Sequence, residues 1–321
     1  MKCNFPEIDP SLQEKWDLLL QTSPQATLFH SPEWFQMLIE TEPEASSVHP
    51  FFYENEGNLS GGLILRSTVR RGKKIADLHS CGYNGPLFSP EIHYQETSHT
   101  YASFCVFSCL LQDAAKELET IVIENSPDIW NVSPYNFNQW KIVPSYNHIW
   151  EKKSEEEAWQ AINPLQQEKI RGIENRYHFD EDQSDRRYNE LFTRLTLRSE
   201  LTCGIFKGNV QVLRNRIQWM RDHNLSHLYS LVDQSGNSVE TILTVHSPHN
   251  GAVYLLCDFS AIRDYTPEIL AALYWKTYTH LEDTTRFFDL GKSHSPVCAQ
   301  LRNDLGCRLV PRFTCKYFAK N

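Results

Sequence analysis

The sequence predicts a mixed α/β (α+β) protein of two tandem domains, residues 1–150 and 151–321, each built on a mixed sheet. Three observations lead there. A chain of 321 residues is long for one hydrophobic core and comfortable for two. Its second half runs helix, helix, three strands, helix, strand, helix, strand, and the first half carries a looser version of the same series. Residues 286–307, RFFDLGKSHSPVCAQLRNDLGC, place a short buried strand, a polar loop and a capped helix in succession, the arrangement in which open α/β sheets hold ligands.

Taken in order, residues 9–20 are amphipathic, with Leu12, Trp16, Leu19 and Leu20 at helical spacing. Ser31, Pro32 and Glu33 supply an N-cap, a first-turn proline and a first-turn acid for a short second helix. Strands follow at 48–53, 61–69 and 73–80, separated by the turn residues Glu56-Gly57-Asn58 and Arg71-Gly72. The loop 81–87 holds Gly82 and Gly85, whose backbone N–H groups suit an anion or a carbonyl and equally suit a plain turn. Residues 98–118 read as a long helix and 120–124 as a strand, and the apolar pattern lapses into a charge run after Trp150, which sets the domain boundary.

In the second half, Ile170, Ile173 and Tyr177 mark the buried face of a helix at 165–176, with Lys169 and Arg176 on its flank. On a helix at 186–199, Arg187, Arg194 and Arg198 align beside the apolar face of Tyr188, Leu191, Phe192 and Leu195. Three aligned guanidiniums suit a phosphate or carboxylate ligand; a solvated flank with Glu190 paired to Arg194 is the alternative. A helix at 209–223 precedes a meander of strands at 226–232, 238–246 and 252–258. Thr266-Pro267-Glu268 opens a capped helix to His280. The strand 287–290 ends at Gly291, Ser295 and Pro296 start the next helix, and Gly306 closes it. Residues 308–318 alternate as a last strand, with Pro311 at an edge or bulge.

Composition excludes several classes. With 40% apolar and 22% charged residues, the chain is globular. The first residues lack an apolar signal core and no run approaches the length of a spanning helix, so a cytoplasmic protein without a membrane span is expected. Nine cysteines without a CxxC pair read as thiols in a reducing compartment. The pairs His223/His227 and His246/His249 lack a completing carboxylate or cysteine at ligand spacing, so no metal site is expected. The net charge of −9 falls entirely within residues 1–150, which hold 9 basic and 18 acidic residues, and this disfavours long duplex nucleic acid as a partner.

Two strings carry a family resemblance. Phe288-Asp289-Leu290-Gly291-Lys292-Ser293, followed by Leu301-Arg302-Asn303-Asp304-Leu305-Gly306-Cys307, resembles the FDFGGS…FKxxFG signature of FemABX-like transferases, bacterial-type double-domain relatives of the GNAT acyltransferases. Lys292 stands where glycine is usual, and Arg302 where the family's lysine falls. Residues 27–35 are similar to the ATxFHSPEW opening of GNAT-like double-domain proteins, residues 81–87 to a YxGP stretch, and 165–176 to a helix with a basic RxxIRKA face. The resemblance implies two tandem GNAT-like domains.

It also implies acyl transfer between the splayed fourth and fifth strands of the second domain, here 252–258 and 287–290. That assignment places Asp258 and Asp289 at neighbouring strand ends, where either serves as a base. Asp289 serves equally to cap the 291–295 loop, and His294 has the intrinsic pKa for proton transfer. Tyr254, Lys292, Ser293 and Arg302 line the expected slot as substrate contacts. Lys169, Arg187, Arg194 and Arg198 would form a basic face, and Gly82 and Gly85 a second holding loop.

No bound cofactor is implied; the co-substrate is an activated acyl donor. Acyl-CoA users in the superfamily carry a glycine-rich pyrophosphate loop after the fourth strand, but residues 259–265 contain no glycine, which argues against a conventional CoA site. Aminoacyl-tRNA, acyl-CoA and an acyl carrier protein remain as donors. A small molecule or a peptide cell-envelope precursor, through an amine or a hydroxyl, remains as acceptor. An aminoacyl-tRNA-dependent peptide-bond former and a non-catalytic binding protein on the same scaffold are the alternatives.

Overall fold

The computed structural model describes residues 9–42, 46–55, 57–76, 82–92, 100–129, 131–181, 183–197, 210–260, 266–293 and 295–319. The chain forms two compact units. The first comprises Met1–Ser145, Pro248–Asn250 and Pro311–Asn321, and the second Tyr146–Ser247 and Gly251–Val310.

The first unit opens with α1 (Pro10–Thr22), capped by Asp9, and α2 (Pro32–Thr41), whose N-cap Ser31 accepts from the Trp34 N–H. The strands β1 (Ser46–Asn55), β2 (Asn58–Arg70) and β3 (Lys73–Ala76) form an antiparallel meander. A short β4 (Leu87–Phe88) pairs with β2 at Gly61 and Gly62. Helix α3 (Thr100–Glu117) returns the chain to β5 (Thr120–Glu124), which runs parallel to β3. Then come α4 (Ser133–Phe137) and β6 (Lys141–Glu151), a strand that starts in this unit and ends in the second. Apolar residues of α3, including Phe107, Leu110, Leu111 and Ala114, pack with Leu63, Leu65, Ile121, Ile123 and Cys315. The residues 77–80, placed by the sequence in the third strand, lie outside the described residues.

The second unit begins where the charge run hides a helix. In α5 (Glu155–Ala161), Ser154 and Glu157 form a capping box, each side chain accepting from the other's backbone N–H; three first-turn acids suit the helix dipole. Next are α6 (Pro164–Glu174), β7 (His178–Asp180), α7 (Asp185–Leu197) and α8 (Val210–Asp222). The meander β8 (Ser226–Val232), β9 (Ser238–His246) and β10 (Ala252–Ser260) is antiparallel throughout.

Helix α9 (Pro267–His280) is apolar nearly all round and buried, so it sits in the middle of the unit's core. It leads to β11 (Phe287–Lys292), α10 (Pro296–Asp304) and β12 (Arg308–Phe318). The sheet order in this unit is β6-β11-β10-β9-β8-β7. On one face α9 meets Val253, Leu255, Ile242, Phe288, Leu290 and Trp150, with Trp150 and Tyr278 stacked at 4.3 Å. On the other, α7 packs against β9 and β10.

Lys152 draws its ammonium to the carbonyls of Tyr278 and Leu281, at 2.9 and 3.0 Å, closing the C-terminus of α9. The last part of β12 belongs to the first unit and pairs antiparallel with β5 from Thr314 to Phe318. Each unit has its own strands and helices, a tandem α/β arrangement. Among the described residues no helix is long and apolar enough to cross a membrane.

Candidate functional site: a parted strand pair and its polar cluster

β10 and β11 run parallel and pair at only three positions, Ala252 with Phe287, Val253 with Phe288 and Tyr254 with Asp289. Both strands then continue, β10 to Ser260 and β11 to Lys292, but not with each other. β10 stays paired to β9, with a register shift between Leu255 and Cys257, while β11 stays paired to β6, meeting Asn147 at Lys292. Gly291, at φ 72°, supplies the backbone turn for that divergence; a side chain would strain it. The strands part as the sequence expects of the fourth and fifth strands.

The register corrects the pairing of the two aspartates. Asp289 lies opposite Tyr254, not Asp258, and Asp258 is four residues farther along β10, about 13 Å at strand rise. They also face opposite ways. Phe288 and Leu290 point into the α9 core, so Asp289 between them points to the other face. The bulge on β10 inverts the alternation, because Leu255 and Asp258 both oppose residues two apart on β9, Thr244 and Ile242. Asp258 therefore turns toward α9, where the Tyr274 hydroxyl donates to its Oδ2 at 3.1 Å. The two carboxylates do not form a pair.

Asp289 is 3% exposed and its carboxylate is occupied. Asn147 Nδ2 approaches both oxygens at 3.1 Å, and the Gly291 N–H donates to Oδ1 at 2.8 Å. This is the capping alternative, extended by a bond that ties β11 to β6.

On the α9 and α10 side a polar cluster sits at the opening. Arg302, 5% exposed, donates from Nη1 to the Gly291 carbonyl at 3.1 Å and to Ser293 Oγ at 3.4 Å. Burial works against its charge, but Tyr274 and Asp258 beside it outweigh that and raise its pKa. Ser293 Oγ lies 3.2 Å from Nδ1 of His148. His148 alternates with Ile149, which opposes Asp289, and so shares the α9-side face of Trp150. Burial first, and then the charge of Arg302, lower its pKa; Asn303, Asp289 and the Gly291 carbonyl pull the other way. Its Nε2 is buried without a hydrogen-bond partner.

The sequence reading missed His148 and Tyr274. The one available signal was two successive polar residues, Asn147 and His148, inside a strand that ends in Ile149-Trp150. Tyr254 is buried on the Asp289 side, and Lys292 is partly exposed at the end of β11. His294 and Arg198 lie outside the described residues, as do 261–265 of the loop after β10.

Three members of the expected basic face, Lys169, Arg187 and Arg194, are engaged by protein groups. Arg187 donates from Nε to Asp180 at 2.9 Å and from Nη1 to Glu190 and the Gly236 carbonyl at 3.1 and 2.9 Å. Arg194 holds Thr241 at 3.2 Å, Ser238 Oγ at 2.7 Å and the Ser238 carbonyl. Glu190 binds Arg186, Arg187 and Ser238 rather than Arg194. Lys169 forms an ion pair with Glu268 at 2.9 Å. These cations brace α6 and α7 against their neighbours.

In the first unit, Gly82 and Gly85 have structural explanations. Gly82 is at φ 68° and a Cβ there would lie 2.2 Å from the Phe29 ring. Its carbonyl accepts from Arg312 Nη2 at 2.9 Å, and the Gly85 carbonyl lies 3.1 Å from Nε2 of His30. Between them Asn84 behaves as a strand partner for β5: its N–H donates to the Glu124 carbonyl at 3.0 Å and its Oδ1 accepts from the Glu124 N–H at 2.7 Å. Among the described residues β3 pairs with β5 through Ile75 with Thr120 and Ala76 with Ile121, and Asn84 meets β5 farther along, at Glu124.

Among the described residues no group of three or more metal-binding side chains converges. Cys105, Cys109, Cys307 and Cys315 are free thiols, and burial pushes Cys307 up to about 12.

No family model matches the sequence, and no curated protein matches it. Solved structures do match in fold. A structure of FemX superimposes with a TM-score of 0.65 at 10% identity, covering 95% of this chain and 96% of that one. A tandem GNAT protein from the clavulanic acid biosynthesis pathway gives 0.59 at 12% identity, over 98% and 96% of the two chains. L-PGS from Bacillus licheniformis gives 0.54 at 11% identity, over 98% and 93%. The chain has the tandem GNAT fold of FemX-like proteins.

Proposed function

We propose that the second unit is an acyltransferase, moving an acyl or aminoacyl group from an activated donor to an amine or hydroxyl of a small-molecule or cell-envelope-precursor acceptor. The observation that carries this is the parting of β10 from β11 after Tyr254 and Asp289, with the buried guanidinium of Arg302 beside the opening. Beyond Leu255, β11 no longer takes the backbone groups on that side of β10. An extended donor arm with amide groups can pair there as an added strand. Arg302 then stands near the carbonyl that becomes an oxyanion, where a preformed positive charge lowers the barrier most.

Similarity to FemX and to a tandem GNAT protein supports the same class of reaction. A thioester donor, on CoA or a carrier protein, is better supported than aminoacyl-tRNA. Arg187 and Arg194, the guanidiniums expected to hold phosphates, are spent on Asp180, Glu190, Ser238 and Gly236, and the chain is net −9. The test is single-turnover transfer from acetyl-CoA, an acylated carrier protein and an aminoacyl-tRNA to a panel of amines, with Arg302→Met as control. Transfer from a thioester that Arg302→Met abolishes supports the reading. Transfer from aminoacyl-tRNA alone, in a salt-sensitive manner, moves the donor to tRNA. Absence of transfer and binding for all three returns the protein to a binding role.

A further inference from the structure

His148 and Ser293 stand at the opening in an arrangement that the slot itself does not require. Ser293 follows the last residue of β11 and is partly exposed, whereas His148 is 2% exposed behind it. Ser293 Oγ has Arg302 Nη1 at 3.4 Å on one side and His148 Nδ1 at 3.2 Å on the other. A guanidinium only donates, so Arg302 occupies one lone pair of Oγ and leaves the hydroxyl hydrogen free to point at Nδ1, the direction that the relay requires. With Nδ1 accepting, a neutral imidazole carries its hydrogen on Nε2, the nitrogen that lacks a hydrogen-bond partner.

We infer that His148 and Ser293 form the proton relay of the transfer, Ser293 Oγ taking the acceptor's proton as its own hydroxyl proton passes to His148 Nδ1. This rests on the transferase reading of the slot. The acceptor nitrogen or oxygen bonds to the acyl carbon, and the bond from that carbon to the donor's sulfur or oxygen breaks. The proton lost by the acceptor crosses Ser293 to His148 Nδ1 and returns through the same hydroxyl to the departing sulfur or oxygen; no electrons are gained or lost. The groups facing the ring are Ser293, Arg302 and Asn303 and the Gly291 carbonyl, and the charge of Asp289 acts on it from the other face of the sheet. Burial, and then Arg302, favour the neutral ring, so the transient imidazolium gives its proton back. Ser293 is the residue that touches the acceptor, and His148 acts through it.

Two measurements on the full chain test the relay. In the assay with the donor that is turned over, His148→Gln and Ser293→Ala are each expected to lower kcat by about 10²–10⁴-fold, the usual worth of a positioned proton acceptor. KM for the donor should stay unchanged, and the histidine limb should disappear from the pH–rate profile in both variants. Ser293→Ala leaves the buried ring in place, which covers the case in which His148→Gln fails to fold. Wild-type kcat and pH limb in either folded variant would overturn the relay.

The second measurement needs no donor. Nitrogen-15 NMR of the histidines should show His148 neutral at pH 7 with its hydrogen on Nε2; a ring protonated at Nδ1 would overturn the relay. If no donor is turned over, the transferase reading fails by that result, and the NMR experiment still decides whether the ring can accept a proton.

Discussion

Asp289 offers the sharpest separation between a brace and a base. Its oxygens accept from Asn147 Nδ2, at 3.1 Å to each, and from the Gly291 N–H at 2.8 Å, in a site 3% exposed. Asp289→Ala strands two buried donors at about 1–3 kcal/mol each, a loss of about 4 kcal/mol. Asp289→Asn keeps one acceptor for Gly291, and Asn147 can turn its amide over to accept from the new NH2. The cost should therefore fall to about 1–2 kcal/mol, since only the charge-assisted part is lost. At about 2–4 °C per kcal/mol for a unit of this size, the Asn variant should melt a few degrees lower and the Ala variant roughly 10 °C lower. Thermal unfolding and turnover are measured on the same preparations. The brace predicts that folded Asp289→Asn keeps most of its kcat. A variant that melts with the wild type but loses 10²-fold or more in kcat would refute the brace and make Asp289 the base.

Other expectations follow from the same contacts. Gly82→Ala places a Cβ 2.2 Å from the Phe29 ring at φ 68° and should cost at least about 2–3 kcal/mol; unfolding at wild-type denaturant would show that the loop yields. Arg187→Met leaves Asp180 without the cation it pairs with and takes one of two from Glu190, which keeps Arg186. Because both acids are partly exposed, the loss should be about 2–4 kcal/mol rather than the full buried-pair value, with phosphate-ligand binding unaffected in a binding titration. His30 is fully buried, and burial lowers its pKa from 6.5 to about 3. Between those values the unfolded chain holds a proton that the folded one does not, so stability present above pH 6.5 is lost on acidification, by up to about 1.4 kcal/mol per pH unit. Urea unfolding from pH 7 to 4 should show that slope, and His30→Gln should flatten it.

Local chemistry made much of this fold legible. Ser31-Pro32-Glu33 caps α2, Ser295-Pro296 caps α10, and Gly306 at φ 82° follows it, each as the residue types dictate. The meander β8–β10 and the single strand β11 also follow from alternation and turn residues. Helix α5 did not, because its acids read as a solvated run; the Ser154–Glu157 spacing of a capping box was the available signal.

The candidate site was legible in part. Ser293 and Arg302 meet because they flank one short loop and helix, a distance the sequence controls. His148 joins them only through the pairing of β6 with β11, 145 residues on in the chain, and no local pattern encodes that. The orientation of Asp258 depends on one bulged residue in β10. The arginines of α7 align as helical periodicity requires, but their partners Asp180, Gly236, Ser238 and Thr241 come from other elements, and those contacts decide their role.

Hydrogen–deuterium exchange with and without donor tests the central claim most directly. Acetyl-CoA, an acylated carrier protein and an aminoacyl-tRNA are added in turn to the full chain. With the donor that is used, the account expects slowed exchange in the part of β10 beyond Leu255 and in β11 from Leu290 to Ser293, with little change at Gly82–Gly85. Protection confined to the first unit, or absent from both parted strands with every donor, would contradict it.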